Sequence, residues 1–176
     1  MGSFIGSLIF LALCIWMIVH QTKRMRKIKA AWKHLGCKLK DLIDSGKYTY
    51  GHPEIDAPFE NCYIRVLNGN IEIYNIPKSL APILKGTIPV GNIQNITIED
   101  ASTIQKRITA ARLLMTGVFA FAIKKKKKDE LAYLVIEWMD SMWHKQIAQM
   151  ATFEFSEKGA MERCNKARNE LIRLTR

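Results

Sequence analysis

The feature that most constrains this chain is an uncharged, mostly apolar beginning that is followed at once by a dense basic segment. The first 22 of the 176 residues contain no Lys, Arg, Asp or Glu, and residues 4–19 form an unbroken, mostly apolar run. At a helical rise of about 1.5 Å per residue, this run covers about 24 Å and the whole uncharged segment about 33 Å, against a hydrocarbon core of about 30 Å. The pattern predicts one transmembrane helix over residues 1–22.

The charge that follows this segment predicts its orientation. Residues 23–40 contain eight basic side chains and no acidic one. The positive-inside rule therefore places the N-terminus outside the cell membrane and residues 23–176 in the cytoplasm. The alternative is a cleaved signal peptide, but the charged flank that precedes the apolar part of such a peptide is absent here.

The basic balance of the chain, a formal net charge of +11, belongs to two local tracts. Eight of the 27 basic residues lie in 21–40 and five in 124–128, so the remainder has 14 basic and 16 acidic residues. Basic tracts beside an apolar span are typical of proteins that contact anionic lipid, whereas nucleic-acid binders spread Lys and Arg over one face. The predicted lipid-contacting residues are Lys23, Arg24, Arg26, Lys27, Lys29, Trp32, Lys33, Lys124, Lys125, Lys126, Lys127 and Lys128. For the second tract, a solvated run with no partner is the alternative.

Apolar residues in the basic segment recur at helical spacing. Met25, Ile28, Trp32, Leu35, Leu39 and Leu42 follow one another at steps of three and four, and Gly46 is a candidate stop. We therefore predict a basic juxtamembrane amphipathic helix over residues 23–46. Its apolar seam has three possible uses: lying in the membrane interface with Trp32 at headgroup depth, pairing with a second copy as a coiled coil, or packing on the downstream domain. The clustered charge favours the first.

Residues 47–58, with one glycine and two prolines, are predicted to be a linker, and beyond them the pattern changes to that of strands. Asn68-Gly69 between two alternating segments predicts a tight hairpin, because both residues tolerate positive φ. Strands are predicted over residues 59–67, 70–76, 86–90, 94–99, 131–139 and 147–155, with a turn at Asp140-Ser141. A helix capped by Ser156 is predicted over residues 157–174.

The sequence pattern does not decide the secondary structure of the whole segment 102–123. Ser102 and Gln105 form a capping-box pattern, which predicts a helix that begins near Thr103. Residues 117–123 fit either a helix or a buried strand, and the segment could be core or could touch the bilayer a second time.

Six short segments resemble the bacterial pleckstrin-homology-like (PH-like) domains of small Gram-positive membrane proteins. They comprise the I-x-x-I-T-x-E-D strand at 93–100, S-T-I-Q-K-R at 102–107, the lysine run at 124–128, Y-L-V-I-E at 133–137, T-F-E-F at 152–155 and the helix start at 159–165. The resemblance covers roughly residues 86–174. It implies an α+β fold in which the two N-terminal helices precede an antiparallel β-barrel or sandwich with a C-terminal capping helix, here residues 59–176.

The resemblance implies a binding role rather than catalysis. No basic residue lies inside the Asn68-Gly69 turn, which argues against specific phosphoinositide recognition. The four histidines are isolated and the four cysteines form no C-x-x-C motif, so no catalytic residue, metal site or cofactor is predicted. The predicted function is that of a single-pass, membrane-tethered cytoplasmic module that contacts anionic lipid or a membrane-proximal protein. The alternatives are a homo-oligomeric scaffold and a nucleic-acid binder that uses the lysine run.

Overall fold

A computed structural model describes residues 2–77, 81–104, 106–107, 131–142 and 145–176, with side chains described for all of these except residues 2–9, 39, 141–142 and 145–146. The described residues form two long helices and eight strands. The helices are α1 (Gly2–His34) and α2 (Ala160–Thr175). The strands are β1 (Ile43–Asp44), β2 (Lys47–Tyr50), β3 (Cys62–Leu67), β4 (Asn70–Asn75), β5 (Ile83–Pro89), β6 (Ile93–Glu99), β7 (Leu131–Met142) and β8 (Lys145–Ser156).

The strands form two four-stranded sheets in which every pair is antiparallel. Sheet 1 has the order β1-β3-β4-β5 and sheet 2 the order β2-β8-β7-β6. The chain passes from sheet 1 to sheet 2 between β1 and β2, at Gly46. This glycine has φ +70°, and a Cβ on it would lie 2.4 Å from the carbonyl oxygen of Glu154. Only glycine fits this crossing, because it both tolerates positive φ and leaves room for the neighbouring backbone.

The main core lies between the two sheets and α2. Alternate residues of β3, β4, β7 and β8 point inward, as expected for half-buried strands. The C-terminal helix closes the core with its small and aliphatic stripe of Ala160, Cys164, Ala167 and Leu171, all of which are buried. The α+β class, the two antiparallel sheets and the C-terminal helix predicted from the sequence are therefore confirmed.

The hairpin prediction is confirmed as well. Asn68 and Gly69 have φ +49° and +74°, and they join β3 to β4 in a register that pairs Leu67 with Asn70. Residues 101–104 and 106–107 are helical, close to the predicted start. The carboxylate of Asp100 accepts a hydrogen bond from the Thr103 N–H at 2.8 Å, so Asp100 caps this segment instead of Ser102. Residues 108–130, which include the predicted lysine contacts Lys124–Lys128, lie outside the described residues.

Several boundaries differ from the prediction. Helix α1 ends at His34, twelve residues before Gly46, and Gly36 with φ +66° follows it. Strand β2 lies inside the predicted linker and pairs with β8. Asp140 and Ser141 continue β7 instead of turning, since they pair with Ile147 and Gln146. Helix α2 begins at Ala160, after Gly159 rather than Ser156.

The first part of the predicted transmembrane helix, residues 1–9, lies outside the described side chains. Among the described residues, no helix is both long enough and apolar enough to cross a membrane.

Candidate functional site

The candidate functional site is built on α1, whose described side chains begin with an exposed apolar segment. Between Phe10 and Val19, eight large apolar side chains are more than two-fifths exposed, among them Phe10 at 70% and Ile18 at 65%. Ten consecutive helical residues cover all sides of a helix, so this segment has no polar face. A helix that is apolar all round is typical of a protein interior or a membrane.

The apolar segment ends in a short polar boundary and then in the basic segment. Thr22 donates its hydroxyl to the carbonyl oxygen of Ile18 at 2.7 Å, which satisfies that hydroxyl within the helix. Beyond it lie eight basic residues, all exposed: Lys23, Arg24, Arg26, Lys27, Lys29, Lys33, Lys38 and Lys40. Residues 1–40 contain no acidic side chain. None of the eight forms an ion pair with a described residue, so their positive charge is available to an anionic partner.

Trp32 does not lie on the exposed surface where a headgroup contact would need it. Its side chain is fully buried, with ring centroids 4.9 Å from Tyr74 and 6.4 Å from Tyr63 on the outer face of sheet 1. Both rings meet the indole edge to face, an arrangement that aromatic quadrupoles favour. The placement of Trp32 among the lipid contacts is thus corrected: burying this large ring against two tyrosines removes it from solvent.

We call the contact between α1 and sheet 1 the docking cluster; its buried members are Trp32, Cys37, Tyr74 and Ile76, with Ile28, Leu42 and Tyr63 packed against them. The docking cluster corresponds to the third predicted use of the apolar seam, which is packing on the downstream domain. Met25 and Leu35 remain exposed, while Ile28, Trp32 and Leu42 are used within the chain. The middle of the seam is therefore not free to form a coiled coil with a second copy.

A buried ion pair fixes the C-terminal end of α1. Arg65 on β3 donates from Nη1 to the carbonyl oxygen of Leu35 at 3.0 Å, and its Nε lies 2.8 Å from Oε2 of Glu72 on β4. The hydroxyl of Tyr74 donates to the same carboxylate oxygen at 3.0 Å. A cation at a helix C-terminus both satisfies a free carbonyl and complements the helix dipole. Together with Trp32, this contact fixes the direction in which α1 leaves the domain.

The sequence contained a signal for half of this arrangement. Arg65 and Glu72 are opposite each other in the register of the Asn68-Gly69 hairpin, so a cross-strand pair could have been foreseen. The hydrogen bond from Arg65 to Leu35 could not, since it joins segments 30 residues apart without a local pattern.

A second set of paired charges lies on the outer face of sheet 2. Arg107 bridges the carboxylates of Glu99, at 2.7 Å, and Glu137. Burial raises the pKa of Glu99, and the neighbouring Arg107 opposes that rise. Ile104, Leu131, Tyr133 and Val135 form an apolar cluster on the same face. Glu99 thus holds Arg107 against the sheet, and the adjacent Asp100 caps the helical residues that begin at Ala101.

His52 is buried between the two sheets in a structural hydrogen-bond network. Its Nε2 lies 3.1 Å from the carbonyl oxygen of Thr87, and its Nδ1 accepts the N–H of Glu54 at 3.2 Å, which requires the proton to be on Nε2. The ring packs 5.3 Å from the ring of Trp138. Burial lowers the pKa of His52, although the bond to Thr87 opposes this. Both ring nitrogens are thus engaged in holding the residues that follow β2.

In the part of the chain that the structure describes, no group of three or more His, Cys, Asp or Glu side chains has the arrangement of a metal site. No protein-family model matches the chain, and neither a curated protein nor a solved structure shows significant similarity to it.

Proposed function

We propose that this protein is a membrane-tethered binding module, in which α1 crosses the bilayer once and its basic segment contacts anionic headgroups. One observation carries the proposal, the order of three segments along one continuous helix. The first segment is apolar on all sides, the second is exposed and basic without acidic residues, and the third packs on the folded domain. Lipid tails would cover the first part, anionic headgroups would match the second, and the third would hold the domain at the surface.

The spacing along α1 supports the lipid contact. Lys23, Arg24, Arg26, Lys27 and Lys29 lie within about 11 Å of Thr22, the last residue of the uncharged segment, given the helical rise. The Debye length is about 8 Å at 0.15 M salt and about 10 Å at 0.1 M, so these residues are close enough to feel an anionic surface. At about 1 kcal/mol each, they would add about 5 kcal/mol of attraction. Lys33 lies about 17 Å along the axis from Thr22 and contributes less.

We further propose that the domain is PH-like and acts by binding rather than by catalysis. The strand order supports this: the first strand is split at Gly46 so that β1 belongs to sheet 1 and β2 to sheet 2, and a C-terminal helix packs into the core between the sheets. Backbone NOEs test this strand order. We expect contacts between Ile43 and Ile64, which report pairing of β1 with β3, and between Tyr48 and Phe153, which report pairing of β2 with β8, in the same sample. If only one of the two pairings is observed, the split first strand is contradicted. In this proposal the domain is cytoplasmic and the N-terminal side of the span lies outside, in accord with the basic flank.

Lipid selectivity of the reconstituted full chain tests the proposed contact. Spin-labelled phosphatidylserine and phosphatidylcholine are compared for their association with the wild type and with Lys27→Gln/Lys29→Gln. The matched control is Lys158→Gln/Lys166→Gln, which removes the same charge from exposed positions around α2. We expect a serine-lipid preference that falls in high salt, that weakens in the first variant and that the control retains. An equal preference in all three proteins would refute the role of the basic segment.

A further inference from the structure

Strand β5 presents an unusual combination of exposure and position. It lies at the edge of sheet 1, where it pairs only with β4 among the described strands. Ile83 and Leu84, which are adjacent at its start, are 45% and 48% exposed, and Lys85 beside them is also exposed. Edge strands are normally protected from pairing with other chains, and two neighbouring exposed aliphatic residues make protection more necessary. This end of the edge strand is therefore a candidate contact surface.

The start of β5 lies beside the docking cluster. Leu84 is opposite Tyr74, the residue that packs on Trp32, and Ile83 is opposite Asn75, which in turn pairs with Cys62. Ile76, the next residue, belongs to the docking cluster itself. Leu84 thus extends the apolar outer face of sheet 1 laterally from the helix, while Ile83, in the row of the buried Cys62, lies on the opposite face at the same end of the sheet.

The direction of α1 follows from the rows of sheet 1 that it touches. Leu35 contacts Arg65, which is paired across the sheet with Glu72. Trp32 contacts Tyr63 and Tyr74, a cross-strand pair that lies nearer to the start of β3. Toward its N-terminus, α1 therefore passes off the end of the sheet where β3 begins, β4 ends and β5 begins. The apolar segment of α1 lies in that direction, so the start of β5 is at the bilayer-facing end of the domain.

We propose that the start of β5, at Ile83, Leu84 and Lys85, forms a second contact with the bilayer surface, in which Leu84 on the outer face enters the headgroup layer of anionic lipids. This inference rests on the proposed function, because it needs α1 to span the membrane. Trp32 is about 15 Å along the helix from Thr22, and the headgroup layer occupies about 5–8 Å of that distance. A tilted helix, within the observed range of about 0–40°, brings the edge of sheet 1 closer to that layer.

Charge favours a lipid surface over a second copy of the chain as the occupant. Lys85 is complementary to anionic headgroups, and it lies at the end of the apolar pair where its side chain can reach phosphate. An exposed lysine on an edge strand also opposes pairing with a second copy of the chain.

A fluorescent probe measures whether this position enters the membrane. In a Cys14→Ser background, the remaining native cysteines Cys37, Cys62 and Cys164 are buried, so a new cysteine is labelled selectively. Leu84→Cys is compared with Leu67→Cys, an exposed leucine that precedes the Asn68-Gly69 turn at the opposite end of sheet 1. Each full-length protein carries an environment-sensitive probe and is reconstituted in nanodiscs that contain phosphatidylserine, with or without lipids brominated near the headgroup.

We expect brominated lipid to quench the probe at position 84 and to leave the probe at position 67 unquenched. Equal quenching at both positions, or none at either, would overturn the inference. Probe self-association at position 84 without lipid quenching would also overturn it and would identify a second copy as the occupant. Resistance of the same samples to alkaline extraction reports separately on the span: a resistant chain without quenching rejects this contact alone, and an extractable chain rejects the proposed function.

Discussion

Replacing Trp32 by Ala should release α1 from the domain without unfolding the domain. The side chain is fully buried, but its neighbours belong to the docking cluster rather than to the main core between the sheets. Truncating a buried tryptophan to alanine costs about 3–5 kcal/mol. Since about 1.4 kcal/mol is a tenfold change in an equilibrium constant, the undocked population should rise by roughly two to three and a half powers of ten.

Hydrogen exchange of the full chain in detergent micelles measures this change segment by segment. We expect the amides of residues 35–42 to exchange faster in Trp32→Ala, because their protection depends on docking, while amides of β7 and β8 keep their protection. Trp32→Phe should have a smaller effect, since it keeps an aromatic contact and removes an indole N–H that has no partner among the described residues. Trp16→Ala, at an exposed position of the same helix, is the control.

Two results would refute this reasoning. An equal loss of protection in β7 and β8 would mean that Trp32 stabilises the whole fold instead of the docking of α1. Unchanged exchange in residues 35–42 would mean that α1 is not docked through this side chain.

Three further perturbations have defined outcomes. Because burial lowers the pKa of His52 below its ordinary value, the unfolded chain binds a proton first as the pH falls. The free energy of unfolding should therefore be level above about pH 7 and decline as the pH falls through about 6.5. In urea titrations at several pH values, His52→Gln should flatten that decline. Gly46→Ala should lower the urea midpoint far more than Gly69→Ala, since both glycines have positive φ but only at Gly46 would the added Cβ lie 2.4 Å from a carbonyl oxygen; equal midpoints would contradict the close crossing. Arg65→Met should cost about 3–5 kcal/mol by stranding Glu72, and most of that loss should return in Arg65→Met/Glu72→Met; a double variant as unstable as the single one would argue against the buried pair.

The parts of the fold that were predictable from sequence are those with a local cause. Alternating apolar residues and the Asn68-Gly69 turn placed β3 and β4 correctly, because strand period and turn chemistry act within a few residues. The stripe through Ala160 and Leu171 predicted α2 for the same reason. Ser156 does not cap the helix because it is the last residue of β8, where it pairs with Leu131, and the helix begins only after Gly159.

The parts that escaped prediction depend on distant contacts. The seam through Leu42 looked helical, yet Leu42 packs on the docking cluster from a segment beyond the end of α1, so apolar spacing alone misplaced that end. Strand β2 was hidden by nearby glycine and proline, and it forms because β8 offers an edge for pairing. For the candidate site, the exposed basic residues follow directly from the sequence, but the burial of Trp32 depends on Tyr74, which is 42 residues away in sequence.

Alkaline extraction of vesicles that contain the full chain tests the central proposal, that α1 crosses the membrane, most directly. The wild type is compared with Leu11→Lys/Leu13→Lys, which places two charges in the apolar segment at a cost of about 2.5–3.5 kcal/mol each. Met25→Lys/Leu35→Lys adds the same charge at exposed positions of α1 and just after it, outside that segment. We predict that the wild type and this control float with the lipid after extraction and that the first variant is released. Release of the wild type into the soluble fraction would contradict the account.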